Sequence, residues 1–187
     1  MNIYELIGII IGDGNIMYNK KHRNYWLEIT GNAEEDLDYF MRIKKIIEKK
    51  SKNKVRIWIK KEKLGKGLRL RINDKKFVEY LIYKLGLPFG KKTFSIEIPK
   101  KFLIWKYSRY IIRGICESDG CIYFSKSRLI EYSTYPRIEI RTSSNKLIKQ
   151  VILILKKQDF NIQLLKCGKT AKLYVSGPEM LNKWFKK

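Results

Sequence analysis

Histidine is almost absent from this chain of 187 residues: His22 stands alone, in a polar stretch. A single imidazole excludes most zinc sites and any mechanism in which one histidine acts as base with a second as its partner. Cysteine is scarce as well. Cys116, Cys121 and Cys167 are odd in number and lack CxxC spacing, so they read as reduced thiols of a cytoplasmic protein. No apolar run reaches the ~18 residues of a membrane span, and no signal peptide precedes the first apolar stretch, which starts almost at Met1. Acidic residues are the largest deficit. Eighteen Asp and Glu face 41 Lys and Arg, leaving a net charge of +23. That exceeds what solubility requires and strains a compact fold by self-repulsion. A polyanion would relieve it. Nucleic acid is the first candidate, because neutralised phosphates release counterions; an anionic membrane surface is the second. An AT-rich genome or a hot habitat also yields a Lys- and Ile-rich composition.

What the chain does have is a repeat. Leu6-Ile7-Gly8-Ile9-Ile10-Ile11-Gly12-Asp13-Gly14 and Ile112-Arg113-Gly114-Ile115-Cys116-Glu117-Ser118-Asp119-Gly120 are both apolar helical runs with a small residue every fourth position, and both end in Asp-Gly. An offset of 106 carries Asp13 onto Asp119, Ile16 onto Ile122, Tyr18 onto Phe124 and Lys20 onto Lys126. An offset of 103 carries Arg69-Leu70-Arg71-Ile72 onto Lys172-Leu173-Tyr174-Val175. Loops therefore differ in length while elements match.

Periodicity supplies the elements. The first half reads as a helix over 3–13, strands near 15–20 and 25–30, and a helix from a capping box at Asn32-Ala33-Glu34-Glu35 to about Lys50. Leu37, Phe40, Met41, Lys44 and Ile47 mark one face of that helix. Its acids Glu34, Glu35, Asp36 and Asp38 suit a first helical turn and need no metal. Strands at 54–60 and 67–73 then turn across Lys63-Leu64-Gly65-Lys66. Val55, Ile57 and Ile59 alternate with Lys54, Arg56, Trp58 and Lys60, giving one apolar and one basic, aromatic-bearing face. A helix over 75–85, with Phe77, Leu81 and Ile82 inward, ends at Gly86. The non-periodic stretch Leu87–Pro99 separates the halves. The second half repeats the order: a helix over 105–119, strands at 121–126 and 136–142, and a helix from Ser144 carrying Leu147, Ile148, Val151, Ile152 and Leu155. A hairpin at 161–167 and 171–176 follows, then a helix from Pro178 with Met180, Leu181 and Trp184 apolar. The fold class is α+β, an α-β-β-α-β-β-α plan used twice: 1–87 and 105–187, joined by 88–104.

Gly8 with Gly12, and Gly114 with Ser118, lie at i, i+4, a spacing that lets two helices approach closely. Asp13 and Asp119 then fall at helix C-termini, where the dipole disfavours a carboxylate. A divalent cation offsets that penalty, and Mg²⁺ suits a site with few oxygen ligands. Gly14 and Gly120 are expected to end the helices in the left-handed region. Glu117, two residues before Asp119, is expected at the surface.

These paired stretches resemble the LAGLIDADG motif of homing endonucleases. Leu6–Gly14 matches at the leucine, the small positions, the Asp and the final Gly; Ile112–Gly120 matches at Gly114, Ile115, Asp119 and Gly120. Ile11 departs where the motif has its first Asp, and Glu117 occupies that place in the second copy. The doubled plan covers the whole chain, and Gly86-Leu87-Pro88-Phe89-Gly90-Lys91-Lys92 looks like the linker of archaeal, intron-encoded members. The resemblance implies a monomeric, Mg²⁺- or Mn²⁺-dependent endonuclease whose two antiparallel sheets form a saddle in the major groove of double-stranded DNA. Asp13 and Asp119, with the carbonyls of Gly12 and Ser118, would hold the metal. The implied DNA-binding residues are Lys20, Lys54, Arg56, Trp58, Lys60, Arg69 and Arg71 in one half, and Lys126, Arg137, Arg141, Gln163, Lys172 and Tyr174 in the other. Members add basic or amide side chains after the second strand of each half. Here those places read Thr30-Gly31-Asn32 and Arg141-Thr142-Ser143, so Arg141, with Lys91 or Lys92 of the linker, is expected to complete the site. The same scaffold serves intron maturases, which bind their own intron RNA, and DNA-binding proteins without cleavage. No splicing flank surrounds the unit, which disfavours an intein.

Overall fold

The computed structural model describes residues 1–62, 65–126 and 133–186. Lys63 and Leu64 of the expected first hairpin turn lie outside them. The chain divides into two compact units, Met1–Lys92 and Thr93–Lys187. Each runs α-β-β-α-β-β-α and holds a four-stranded antiparallel sheet.

In the first unit, α1 (Ile3–Gly12), β1 (Gly14–Asn19), β2 (Asn24–Asn32), α2 (Leu37–Lys50), β3 (Arg56–Glu62), β4 (Gly65–Ile72) and α3 (Lys75–Glu79) follow in order, with strand order β1-β2-β4-β3. The second repeats it with α4 (Trp105–Asp119), β5 (Gly120–Lys126), β6 (Ser133–Thr142), α5 (Asn145–Lys156), β7 (Ile162–Cys167), β8 (Thr170–Ser176) and α6 (Pro178–Lys186), order β5-β6-β8-β7. The registers agree as well: Leu27 faces Ile72 where Ile138 faces Val175. One face of the first sheet carries Ile16, Leu27, Ile29, Leu68, Leu70 and Ile72, all buried. They form the core with Phe40, Ile43 and Ile47 of α2 and Phe77, Val78 and Leu81 beyond β4. α1 is apolar on every side and buried from Glu5 to Ile11, as expected for a helix with no polar stripe.

Four local expectations are corrected. The capping box forms at the start of α1 and not at Asn32. The Asn2 side chain accepts from the amides of Tyr4 (2.9 Å) and Glu5 (3.0 Å), and the Glu5 carboxylate accepts from the Asn2 amide (3.2 Å). Asn32 instead closes β2. Its amide donates to Asp36 Oδ2 at 2.7 Å and its side chain accepts from Glu34, so α2 starts one turn later, at Leu37. With that start, Phe40, Ile43 and Ile47 face inward while Leu37 and Met41 are exposed. In α5 the inward residue is Ile154, and Ile152 is half-buried. The helix after β4 changes pitch. α3 is capped by Asp74, whose carboxylate accepts from the Phe77 amide (3.0 Å) and from the Ser51 hydroxyl. It then widens to a π turn over Tyr80–Lys84, with the Leu85 amide reaching the Tyr80 carbonyl at 3.0 Å. The wider turn brings Leu85 inward and leaves Ile82 half-buried. Gly86, at φ +79, ends it. Finally, β3 is an edge strand, and its alternation does not bury Ile59, which is 56% exposed.

The stretch from Leu87 onward is anchored at both ends, with 89–91 and 93–95 exposed between them. The Gly90 amide donates to the Ile16 carbonyl, and Phe89 sits edge-on to Tyr18. In the second unit, the Gln150 side-chain amide pairs with both main-chain groups of Ile98, and the Ser144 hydroxyl donates to the Ile96 carbonyl at 2.6 Å. Ile96, Ile98 and Phe102 are buried.

Candidate nucleic-acid interface and helix-end acids

Period-2 geometry sorts each sheet into a core face and an outer face. In the first unit the outer face carries Arg56, Trp58 and Lys60 on β3. Opposite them on β4 are Arg71 (across from Arg56) and Arg69 (across from Trp58). Lys54 is exposed just before β3. Lys20 does not join them. It lies beyond β1 with its ammonium 5.8 Å from the Tyr18 ring. Tyr18 is on the helix side, packed against Tyr83 and Phe89 and donating to Glu79 at 3.0 Å. In the second unit Arg137, Glu139 and Arg141 share the outer face of β6 with Lys172 and Tyr174 of β8 and Gln163 of β7. Arg137 donates to Ser125 at 3.0 Å. Lys126 ends β5 at a register irregularity between Ser125 and Lys126, exposed.

Three outer-face features escape a reading by charge alone. Trp26 lies beneath the Arg71 guanidinium, 4.3 Å from ring centroid to carbon. A polar cleft beside it is lined by Arg23, Asn24, Tyr25, Trp26, Arg71, Asn73 and Lys75. Glu28 and Glu139 occupy the middle of the two faces, paired with the very cations expected to meet DNA: Arg71 at 2.8 Å and Arg69 at 3.7 Å, and Lys172 at 2.8 Å. The Glu139 hydrogen bond holds the Lys172 ammonium above its ordinary range. Burial, with Glu139 nearby, does the same for the Tyr174 phenol. Tyr25-Trp26-Leu27-Glu28-Ile29 reads as nearly continuous apolar chain, which hides the outward phase of Trp26 and Glu28. The offset of 111 that maps Leu27-Glu28-Ile29 onto Ile138-Glu139-Ile140 was the available signal.

The two Asp-Gly junctions share one plan, a helix passing directly into the first strand of its sheet. Asp13 caps α1 in helical geometry (φ −89), its amide donating to Ile9 at 2.9 Å, and it is exposed. Asp119 is the last residue of α4. The glycines that follow do not use the left-handed region; Gly120 is extended at φ −133. They are required by proximity. A Cβ on Gly14 would come within 2.6 Å of Ile10 Cα, and one on Gly120 within 2.5 Å of the Glu139 carbonyl and 2.7 Å of that of Cys116. The strand leaves the helix so abruptly that the preceding turn fills the side-chain space.

Lys92 places its ammonium on the last turn of α1, donating to the carbonyls of Ile10, Ile11 (2.9 Å) and Gly12 (3.4 Å). A cation gathered by this carbonyl cluster shows the negative helix end at work. Ser118 turns its hydroxyl back onto the carbonyls of Gly114 (3.0 Å) and Ile115 (3.2 Å), so its main-chain carbonyl is what it can offer a metal. No group of three or more His, Cys, Asp or Glu able to hold a metal occurs among the described residues. Each half therefore supplies one carboxylate and helix-end carbonyls, an all-oxygen set with few protein ligands. That set fits Mg²⁺, which keeps several waters, and does not fit zinc. Glu117 is exposed and pairs with Arg113 at 3.6 Å.

The cysteines are free thiols. Burial pushes the Cys116 thiol up to about 12. No helix among the described residues is long and apolar enough to cross a membrane.

No protein-family model and no curated protein matches the sequence. Solved structures do match the fold. The homing endonuclease I-WcaI bound to its DNA recognition sequence superposes with a TM-score of 0.68 at 14% identity, covering 98% of this chain and 78% of that one. I-DmoI in complex with DNA and Ca gives 0.63 at 19% identity, covering 98% and 84%. Full-length DUF199/WhiA from Thermatoga maritima gives 0.62 at 16%, covering 98% of this chain and 53% of that one. With two α-β-β-α-β-β-α units, two four-stranded sheets and an Asp-Gly junction after the first helix of each, the chain has the LAGLIDADG homing-endonuclease fold.

Proposed function

We propose that this protein is a site-specific endonuclease of the homing type, cutting both strands of duplex DNA with a divalent metal. The observation that carries the reading is the pair of matching helix ends, each with an acid one residue before the first strand of a sheet whose outer face is basic and aromatic. The neighbours add support, since two are homing endonucleases held with DNA. Asp13 with the Gly12 carbonyl, and Asp119 with the Ser118 carbonyl, would hold the metal. When bound, Mg²⁺ supplies activation of water and stabilisation of the leaving 3′ oxygen. Lys92 neutralises the end of α1 beside Asp13, and Arg141, exposed at the end of β6, is the basic group of the second half. Arg56, Trp58 and Lys60 present charge and an apolar surface to the duplex, where major-groove base edges can be told apart. Two such units in one chain let a monomer address an asymmetric site.

The experiment is cleavage of duplex DNA carrying the insertion junction of the protein's own intron, with Mg²⁺ and with EDTA. Mg²⁺-dependent cutting, lost by about 100-fold or more in Asp13→Asn with DNA binding retained, supports the nuclease. A second reading, binding without cleavage, is favoured by one observation: Thr30-Gly31-Asn32 puts no basic side chain at the end of β2. Tight binding with no cut at any junction selects it. Faster splicing of the intron RNA without cleavage selects a maturase.

A further inference from the structure

An acid in the middle of a binding face is costly for a protein of charge +23 that meets phosphates. Here there are two, at equivalent places. Glu28 stands between Asn15 of β1 and Arg71 of β4, and Glu139 between Cys121 of β5 and Tyr174 of β8. Neither is a solvated side chain, with side-chain exposures of 10% and 14%. Glu28 Oε2 accepts from both Nε and Nη2 of Arg71 at 2.8 Å, while Trp26 supports the flat of the guanidinium at 4.3 Å. One contact sets the plane of Arg71 and the other sets its rotation. A guanidinium has five donors in a rigid fork, so donors remain beyond those that face Glu28, on a side chain that is 33% exposed.

We propose that Glu28 and Glu139 are positioning residues that make Arg71 and Lys172 readers of guanine in the major groove. The inference rests on the reading of these faces as surfaces for duplex DNA. An uncommitted arginine or lysine on such a face is drawn to the nearest phosphate, which holds register but carries no sequence information. A carboxylate fixed beside the cation repels the phosphate oxygens. The neutral acceptors O6 and N7 of guanine meet no such repulsion and suit an arginine or lysine partner. Ordering the side chain before binding also lowers the entropy lost on contact. The second unit uses the other cation position. Tyr174 stands where the first unit has Arg71, and Glu139 holds Lys172, the counterpart of Arg69, at 2.8 Å.

The test is selection of bound duplexes from a random-sequence pool with the full chain, in EDTA so that nothing is cut, followed by sequencing. The wild type is expected to enrich a motif containing guanine in both halves. Glu28→Gln keeps the shape and removes the charge. It should relax one guanine position by about tenfold, leave the rest of the motif intact, and tighten binding to random DNA with a salt slope steeper by about one. Arg71→Ala should relax the same position, and Glu139→Gln and Lys172→Ala a different one. A motif unmoved by Glu28→Gln and Glu139→Gln, in variants that melt like the wild type, overturns this assignment and leaves the DNA-binding reading standing. A wild type that binds no duplex overturns both.

Discussion

Gly14 and Gly120 show how a residue can be identified correctly and explained wrongly. Their place after Asp13 and Asp119 was legible in the repeat, but their reason was not, because a close approach of backbone to backbone leaves no mark on a single chain position. Left-handed geometry would tolerate Asn or Asp in their place; proximity tolerates no side chain. With contacts of 2.5 to 2.9 Å to main-chain atoms, Gly14→Ala and Gly120→Ala should each cost ~1–3 kcal/mol, read as a lower denaturant midpoint at unchanged m-value. Cys116 gives the pH dependence at this scale. Its thiol ionises near 9.0 in the unfolded chain and about 12 in the folded one. The folded state therefore binds the proton more tightly, and this contribution to stability is whole below pH 9. It should fall between pH 9 and 12 by up to ~1.4 kcal/mol per unit. Alkaline unfolding of Cys116→Val should show a shallower decline over the same window.

Elements were legible wherever a period ran long enough, and their ends were not. The sequence around residue 32 offers an N-cap, an acid three residues on and an apolar run. Asn2 and Glu5 offer the same signature, and only there does the box form. What decides between them is the strand before Asn32: β2 continues through it, paired with Gly67, and its backbone cannot serve strand and helix together. Asn2→Ala should accordingly cost about 1 kcal/mol, and Glu35→Gln less than ~0.5 kcal/mol, in parallel thermal melts. The π turn at Tyr80–Lys84 was hidden for another reason. A helical pattern with one extra residue still reads as a helix, so Ile82 was expected inward, and the main-chain bond from Leu85 to Tyr80 shows that the phase has slipped. On the two sheets the alternation was readable in β3 and β4, where charge marks the outer phase. It was not in β2, where Trp26 fills that phase with an aromatic ring.

At the scale of the whole molecule, the net charge of +23 is the property an experiment meets first. On the proposed function, duplex binding should weaken steeply with salt, and Arg56→Ala and Lys60→Ala should each reduce the slope of log affinity against log salt by about one. Trp58→Ala should weaken binding with the slope unchanged, because an apolar contact releases no counterions. Both duplication and charge were open to inspection in the sequence. Which cations are spoken for was not, since a pairing such as Glu28 with Arg71 spans 43 residues and exists only once β2 lies against β4.

The abrupt passage from α1 into β1 has a consequence for measurement along DNA. Asp13 and the first outward residue of the sheet, Asn15, are separated by Gly14 alone, with no loop between helix and strand. On the proposed function, the group that cuts and the surface that reads are graduations on a single ruler, so the distance from recognised base to broken bond is set in the covalent chain. One residue inserted at Gly14 would not merely loosen that ruler. Period 2 would turn β1 over, bringing Asn15 and Met17 to the core and sending Ile16 outward.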